Sequence, residues 1–250
     1  MQDTYIGDEG KGFPLVLVHG FLGSSKMWKP QIDFFKEYFR IITPDLPGFG
    51  KSNKIKSHNS IESLAKLLLD CLEKKKINKF HLLGHSMGGM IVQEMAKKDA
   101  NKISKLICYS TGPRGEMPGR FETLDQSRAN LKNEGLAVTV KNIVKTWFMK
   151  GKEARYFDTC YEAGKQSSLE AVENSLEAFK NWNGVDNLKK IKNETLILWG
   201  DKDKSYNLDQ IRILNNNIKN SKLVIFKNCA HNVHLEQPDQ FNKILKDFLK

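Results

Sequence analysis

The chain has 250 residues, a formal net charge of +11 and 40% hydrophobic residues. That length and apolar content are enough for one α/β domain with a sizeable core and an inserted lobe. No stretch approaches the roughly 20 uninterrupted apolar residues of a membrane span, and the polar residues 1–11 are unlike a secretory signal, so we expect a cytoplasmic protein with no membrane partner.

The cysteines and lysines exclude several kinds of partner. The cysteines lie far apart with no Cys-x-x-Cys pair, which argues against a zinc site and a disulfide scaffold: Cys71, Cys108, Cys160 and Cys229. The lysines are scattered over helical segments with acidic residues between them and without an aromatic–basic array, which argues against nucleic acid. We expect a monomer or small homo-oligomer that uses no metal or other cofactor.

Apolar runs and helical patterns alternate along the first half of the chain. Strands are predicted at residues 13–19, 40–43, 80–83 and 103–109, and helices at 28–39, 61–72 and 87–98. Continuous apolar runs of this kind indicate strands buried on both faces. The pattern predicts an α/β fold with a mostly parallel, doubly wound sheet of about seven strands.

The alternation stops after residue 109 and resumes near residue 195. A loop rich in proline and glycine at 111–119 leads into helical patterns at 121–133, 136–149, 153–164 and 169–182. Strands at 195–199 and 223–226 and helices at 208–218 and 241–249 complete the chain. We therefore predict a core domain of residues 1–111 and 186–250, with residues 112–185 inserted as a helical cap over the carboxyl edge of the sheet.

The segment Gly84-His85-Ser86-Met87-Gly88 lies between a predicted strand and a predicted helix. Gly-x-Ser-x-Gly in that context predicts a tight turn that exposes the Ser86 hydroxyl at the top of the sheet. A serine nucleophile needs a histidine base and a carboxylate that holds the histidine tautomer. Asp201 and Asp203 follow one predicted strand and His231 follows the next, so the carboxyl edge of the sheet gathers all of them near Ser86.

An oxyanion hole requires two backbone N–H groups that face the developing negative charge. Met87 supplies the first candidate because it directly follows the nucleophile. The loop after the first long strand supplies the second, where Phe21 N–H is the leading candidate and Leu22 N–H the next.

These motifs together resemble the α/β-hydrolase fold family. The resemblance runs from about Phe13 to the C-terminus and rests on five segments: His19–Ser24, Asp45–Ser52, Gly84–Gly89, Trp199–Asp203, and His231 with Glu236 and Pro238. It implies that Asp203 rather than Asp201 is the catalytic acid and that His231 is the base. It also implies two strands ahead of residue 13, where only residues 3–6 are available, so the first strand is either missing or the gene start is shortened.

The resemblance implies a serine hydrolase that cleaves a carboxylic ester or lactone through an acyl-enzyme. It is closest to small carboxylesterases and 3-oxoadipate enol-lactonase-like proteins. A carbon–carbon bond hydrolase and a menaquinone-pathway synthase-like lyase remain alternatives, although Met90 stands where that synthase has arginine. A ligand receptor on the same fold is the non-enzymatic alternative. Candidate substrate-binding residues are Leu22, His85, Arg114, Arg120 and Trp147, of which the two arginines suit a substrate carboxylate.

Overall fold

The computed structural model describes residues 4–250. In this range the strands are β1 (Ile6–Glu9), β2 (Pro14–Val18), β3 (Arg40–Pro44), β4 (Phe80–His85), β5 (Ile103–Tyr109), β6 (Glu194–Gly200) and β7 (Ser221–Phe226). The helices are α1 (Lys29–Phe35), α2 (Ile61–Lys74), α3 (Met87–Lys98), α4 (Leu124–Val144), α5 (Phe157–Lys165), α6 (Leu169–Asn181), α7 (Leu208–Asn217), α8 (Val233–Glu236) and α9 (Pro238–Leu249).

The strands form one sheet in the order β1-β3-β2-β4-β5-β6-β7. Only the edge strand β1 runs antiparallel to its neighbour, while the other pairs are parallel. This arrangement confirms the predicted α/β fold with a mostly parallel sheet. It also places the carboxyl ends of β2, β4, β6 and β7 at one edge, where the candidate residues follow them.

The N-terminal strand differs from the prediction of residues 3–6. Strand β1 begins at Ile6 and pairs with β3 from Ile6 opposite Pro44 to Glu9 opposite Ile41; Asp3 lies outside the described residues. Its sequence is polar because an edge strand has a neighbour on one side alone, and Asp8 forms an ion pair with Arg40 at 2.7 Å. An edge strand is therefore present, and it lies later in the chain than expected.

The core lies on both faces of the sheet. In β2, Val16 and Val18 pack into one apolar cluster, and Leu15 and Leu17 pack into the other. Helices α2, α3 and α7 cover the first face, whereas α1 and α9 cover the second. Burial on both faces explains why the strands are continuous apolar runs rather than alternating patterns.

Helices α4 to α6 lie between β5 and β6, in the segment predicted as a cap. The two helices predicted for residues 121–149 correspond to α4, whose backbone is non-helical at Gly135 (φ 78°, ψ 169°). The helix predicted at 153–164 begins later, at Phe157, because a short 3₁₀ turn occupies Gly151–Glu153. Across residues 4–250, none of the helices has the length and apolar character needed to cross a membrane.

Candidate active site

The turn between β4 and α3 holds Ser86 in a strained backbone conformation. Ser86 has φ 56° and ψ −118°, and its N–H donates to Tyr109 O at 3.0 Å. The flanking glycines make the turn possible, since a Cβ at Gly84 would lie 2.2 Å from Gly88 O. A Cβ at Gly88 would lie 2.4 Å from Val18 O. The strand, turn and helix are those expected of a nucleophile elbow.

Asp203 and His231 are joined by a hydrogen bond between loops that follow β6 and β7. Asp203 Oδ2 lies 2.8 Å from His231 Nδ1, and the two side chains are 0% and 2% exposed. The other carboxylate oxygen accepts from the N–H of Ser205 at 2.7 Å and of Tyr206 at 3.3 Å. Because an ionised carboxylate only accepts, this contact suits the neutral tautomer of His231 that has its proton on Nδ1 and a lone pair on Nε2.

The other aspartate of the loop faces a different set of groups. Asp201 Oδ1 accepts from Cys229 N–H at 3.4 Å, and its second oxygen lies 3.8 Å from Lys202 Nζ. The contact with Cys229 connects the loop after β6 to the loop after β7. The geometry thus assigns the histidine contact to Asp203.

The loop after β2 packs directly against the nucleophile. A Cβ at Gly20 would lie 2.8 Å from Ser86 Cβ, so the two backbones are in close contact. His19 braces this loop from behind: its Nδ1–H donates to Gly20 O at 2.8 Å and its Nε2 accepts from Leu46 N–H at 2.9 Å. Burial lowers the pKa of His19, which favours the neutral ring that these two bonds require.

The positions of Phe21 and Met87 suit two backbone donors. Met87 is the first residue of α3, and N–H groups in the first turn of a helix have no intrahelical acceptor. Phe21 lines the same cavity as Ser86, with its ring 5.6 Å from that of Phe179. The N-terminus of α3 adds positive potential at this point.

A sequence model of the alpha/beta hydrolase fold family matches residues 14–238. The chain belongs to the α/β-hydrolase fold family. The family resemblance drawn from the motifs is therefore confirmed, and the protein is a hydrolase.

Several α/β-hydrolases are similar to this one. Pimeloyl-[acyl-carrier protein] methyl ester esterase of Legionella pneumophila (strain Corby) is 31% identical over 253 residues and covers 100% of both chains. A 2-hydroxy-6-oxononadienedioate/2-hydroxy-6-oxononatrienedioate hydrolase of Pseudomonas putida is 31% identical over 84% of this chain and 77% of its own. The enol-lactonase of Burkholderia xenovorans LB400 has a TM-score of 0.89 at 22% identity, over 98% of this chain and 96% of its own, which supports the fold alone.

The α/β-hydrolase cavity at Ser86 lies between the sheet edge and the helical insertion. Its volume is ≈ 20 Å³. The lining residues are Phe21, Ser86, Met117, Arg120, Phe121, Ile143, Trp147, Phe179, Ser205, Tyr206 and His231. Ser86 and His231 therefore share one small, mostly apolar cavity.

Two of the predicted substrate-binding residues line this cavity. The ring of Trp147 lies 6.0 Å from that of His231, and its backbone O accepts from Asn232 N–H at 3.0 Å. The Arg120 side chain is 6% exposed, and its Nη1 donates to Glu122 O at 2.7 Å and Ser127 Oγ at 2.9 Å. Burial lowers the pKa of Arg120, and the nearby Glu122 opposes that shift.

The other three predicted substrate-binding residues do not line the cavity. Leu22 is fully buried against Gly164 of α5. Arg114 is exposed and forms a β-bridge with Asn183. His85 lies beneath His231, with the two ring centroids 4.5 Å apart and its Nε2 3.3 Å from His231 O. Each lies near a motif in the sequence, but its side chain is either buried in the protein interior or exposed to solvent.

The histidine loop is fastened to both the core and the insertion. Glu236 accepts from Ala230 N–H and from Met149 N–H, each at 2.7 Å. Burial raises the pKa of Glu236, whereas these two backbone donors lower it. The Tyr109 hydroxyl lies 3.1 Å from His231 O and thus supports the same loop from the sheet.

The rest of the lining was not predicted from the sequence. It comprises Met117, Phe121, Ile143, Phe179, Ser205 and Tyr206. Apolar residues at helical spacing are indistinguishable from core residues until the helices are placed. Tyr206 had a usable sequence signal, because it follows Asp203 closely in a loop at the carboxyl edge of the sheet.

Proposed function

We propose that this α/β-hydrolase cleaves carboxylic esters with Ser86 as nucleophile, His231 as general base and Asp203 as the group that orients His231. The observation that carries the proposal is the 2.8 Å bond from His231 Nδ1 to Asp203, with His231 and Ser86 in one cavity. That bond leaves Nε2 free to take the serine proton.

The reaction has two halves. Ser86 Oγ attacks the acyl carbon as His231 Nε2 takes its proton, and the Phe21 and Met87 N–H groups bind the carbonyl oxygen as it gains negative charge. His231 then protonates the departing alkoxy oxygen, which leaves an acyl-enzyme. Water, activated by the same histidine, attacks the acyl-enzyme and releases the acid.

The acyl group that fits this cavity is apolar. Phe121, Ile143, Trp147 and Phe179 form much of its wall. The cavity volume, ≈ 20 Å³, is far below the roughly 300–1,000 Å³ of ligand pockets, so we expect parts of the insertion to move when substrate enters. The relatives named as pimeloyl-[acyl-carrier protein] methyl ester esterases make methyl esters of pimeloyl groups the first substrates to test.

Arg120 is the proposed partner for a carboxylate on the substrate. Its cationic side chain is buried in the cavity wall. There, Nη1 donates hydrogen bonds to Glu122 O and Ser127 Oγ. Replacing Arg120 with methionine is expected to raise KM for a monoester of a dicarboxylic acid while leaving KM for an uncharged ester of the same length unchanged. An equal change for both esters would remove the carboxylate role.

A substrate panel tests the reaction class. We expect turnover of short aryl esters and methyl esters, abolished by Ser86→Ala. A second candidate, carbon–carbon bond hydrolysis, is favoured by the similarity to the Pseudomonas putida hydrolase. The panel therefore includes an enol-lactone and a ring-cleavage dienol, and preferential turnover of the dienol would overturn ester hydrolysis as the main activity.

A further inference from the structure

Tyr206 is fixed from several sides in the loop that carries Asp203. Its N–H donates to Asp203 Oδ1 at 3.3 Å, and its backbone O accepts from Trp199 Nε1 at 3.0 Å. The ring is seated against Gly112, where an added Cβ would lie 3.1 Å from ring atom Cδ1. The side chain is therefore held in place before any substrate binds.

The ring of Tyr206 lies over the imidazole of His231. The two ring centroids are 5.9 Å apart and the planes differ by 17°. Tyr206 is 1% exposed and lines the same cavity as Ser86. The Tyr206 ring thus lines the reaction cavity on the side of the general base.

The hydroxyl of Tyr206 interacts with the neighbouring hydroxyls of Ser86 and Thr111, but among residues 4–250 no hydrogen bond of standard geometry reaches it. Buried polar groups without a well-formed hydrogen bond are uncommon in folded proteins, and one beside the candidate nucleophile calls for an explanation. Burial raises the pKa of this phenol, while the neighbouring Ser86 and Thr111 hydroxyls and the Arg120 cation lower it. The group accordingly stays protonated near neutral pH and is available as a donor.

Of the two oxygens of the reacting ester, the alkoxy oxygen has no proposed hydrogen-bond donor other than His231. The carbonyl oxygen faces the Phe21 and Met87 N–H groups in the proposed mechanism, whereas the alkoxy oxygen lies where His231 must deliver its proton. We propose that Tyr206 is a catalytic residue whose hydroxyl donates a hydrogen bond to the alkoxy oxygen as its bond to the acyl carbon breaks. This inference rests on the proposed ester hydrolysis.

The proton balance of the step leaves Tyr206 unchanged. The bond from Ser86 Oγ to the acyl carbon forms, and the bond from that carbon to the alkoxy oxygen breaks. The serine proton passes to His231 Nε2 and then to the alkoxy oxygen, which leaves as the alcohol. Tyr206 keeps its own proton and stabilises the negative charge that builds on that oxygen before protonation is complete.

The test compares leaving groups in Tyr206→Phe, which keeps the ring over His231 and removes only the hydroxyl. For ethyl butyrate, a poor leaving group, kcat/KM is expected to fall about 10- to 100-fold. For p-nitrophenyl butyrate it should fall less than about twofold, because p-nitrophenolate leaves without protonation. Using kcat/KM restricts the comparison to the acylation half of the reaction.

Controls separate this role from a structural one. Tyr38→Phe removes a hydroxyl from a tyrosine that is 49% exposed and should leave both esters unaffected. An equal loss for both esters in Tyr206→Phe, or no loss for either, would overturn the proposal, as would a larger loss for the aryl ester. If Ser86→Ala hydrolyses both esters as fast as wild type, the proposed function itself fails, whatever Tyr206→Phe does.

Discussion

Replacing Asp203 with asparagine tests how His231 is oriented. The carboxylate uses both oxygens: Oδ2 faces His231 Nδ1 at 2.8 Å, and Oδ1 accepts from Ser205 N–H at 2.7 Å. An asparagine that keeps its oxygen on the backbone donors must turn its NH₂ group toward Nδ1. His231 then has to accept at Nδ1 and carry its proton on Nε2, which is the wrong tautomer for a base.

The opposite orientation of the amide is less favourable, because its NH₂ group would meet the backbone donors of Ser205 and Tyr206. We therefore expect the wrong tautomer to dominate and kcat to fall by about 10³ to 10⁴, equivalent to about 4–5.5 kcal/mol of activation free energy. The side chains are nearly isosteric, so the melting temperature should change little. The assay is kcat for p-nitrophenyl butyrate with a thermal melt of each variant.

Asp201→Asn is the matched control for Asp203→Asn. It lies in the same loop and contacts Cys229 N–H and Lys202 rather than His231. Its kcat should stay within about threefold of wild type, since orientation of the base is untouched. A loss below tenfold for Asp203→Asn, or equal losses for the two variants, would refute the reasoning.

Three further changes test the parts around this centre. Gly20→Ala introduces a methyl group 2.8 Å from Ser86 Cβ and 2.9 Å from His85 O, so kcat should fall by about 100-fold or more and the free energy of unfolding by about 1–3 kcal/mol; full activity would contradict the close packing. Glu236→Gln retains one acceptor for two backbone N–H groups, so the free energy of unfolding should drop by about 1–3 kcal/mol in urea titrations, and an unaltered value would count against the tether. Burial lowers the pKa of His81 to about 4, below the value near 6.5 in the unfolded chain. The contribution of neutral His81 to the free energy of unfolding is therefore complete above pH 6.5 and is lost as the pH falls below that value. His81→Phe should therefore reduce the loss of unfolding free energy between pH 7.5 and 5.5 by about 1 kcal/mol, and an identical loss in both proteins would argue against this titration.

The strands inside the sheet could be predicted closely, because strands buried on both faces are continuous apolar runs that stand out in the sequence. The predicted strand at 103–109 coincides with β5, and the predicted helix at 87–98 coincides with α3. The edge strand β1 was misplaced because a strand with one neighbour needs no apolar run. The break at Gly135 falls between the helical patterns predicted at 121–133 and 136–149, although the ends of the helix were not predicted.

Residues of the candidate site were predictable where a motif fixes the backbone. Ser86, Asp203 and His231 each follow a strand, so the topology alone brings them to one edge. The cavity wall depends on how α4 and α6 pack over that edge, and sequence proximity to a motif was a poor guide to it. Leu22 and Arg114 point away from the cavity, whereas Tyr206 and Phe179 enter it.

Covalent labelling with a fluorophosphonate probe tests the nucleophile most directly. The account predicts one adduct per chain by intact-mass analysis, mapped to Ser86 by peptide sequencing, and slowed by about 10³-fold or more in Asp203→Asn because His231 no longer accepts the serine proton. Ser86→Ala should take up no probe while it retains the wild-type melting temperature. An adduct that persists in Ser86→Ala, or an unlabelled wild-type protein, would contradict the assignment of Ser86 as the nucleophile.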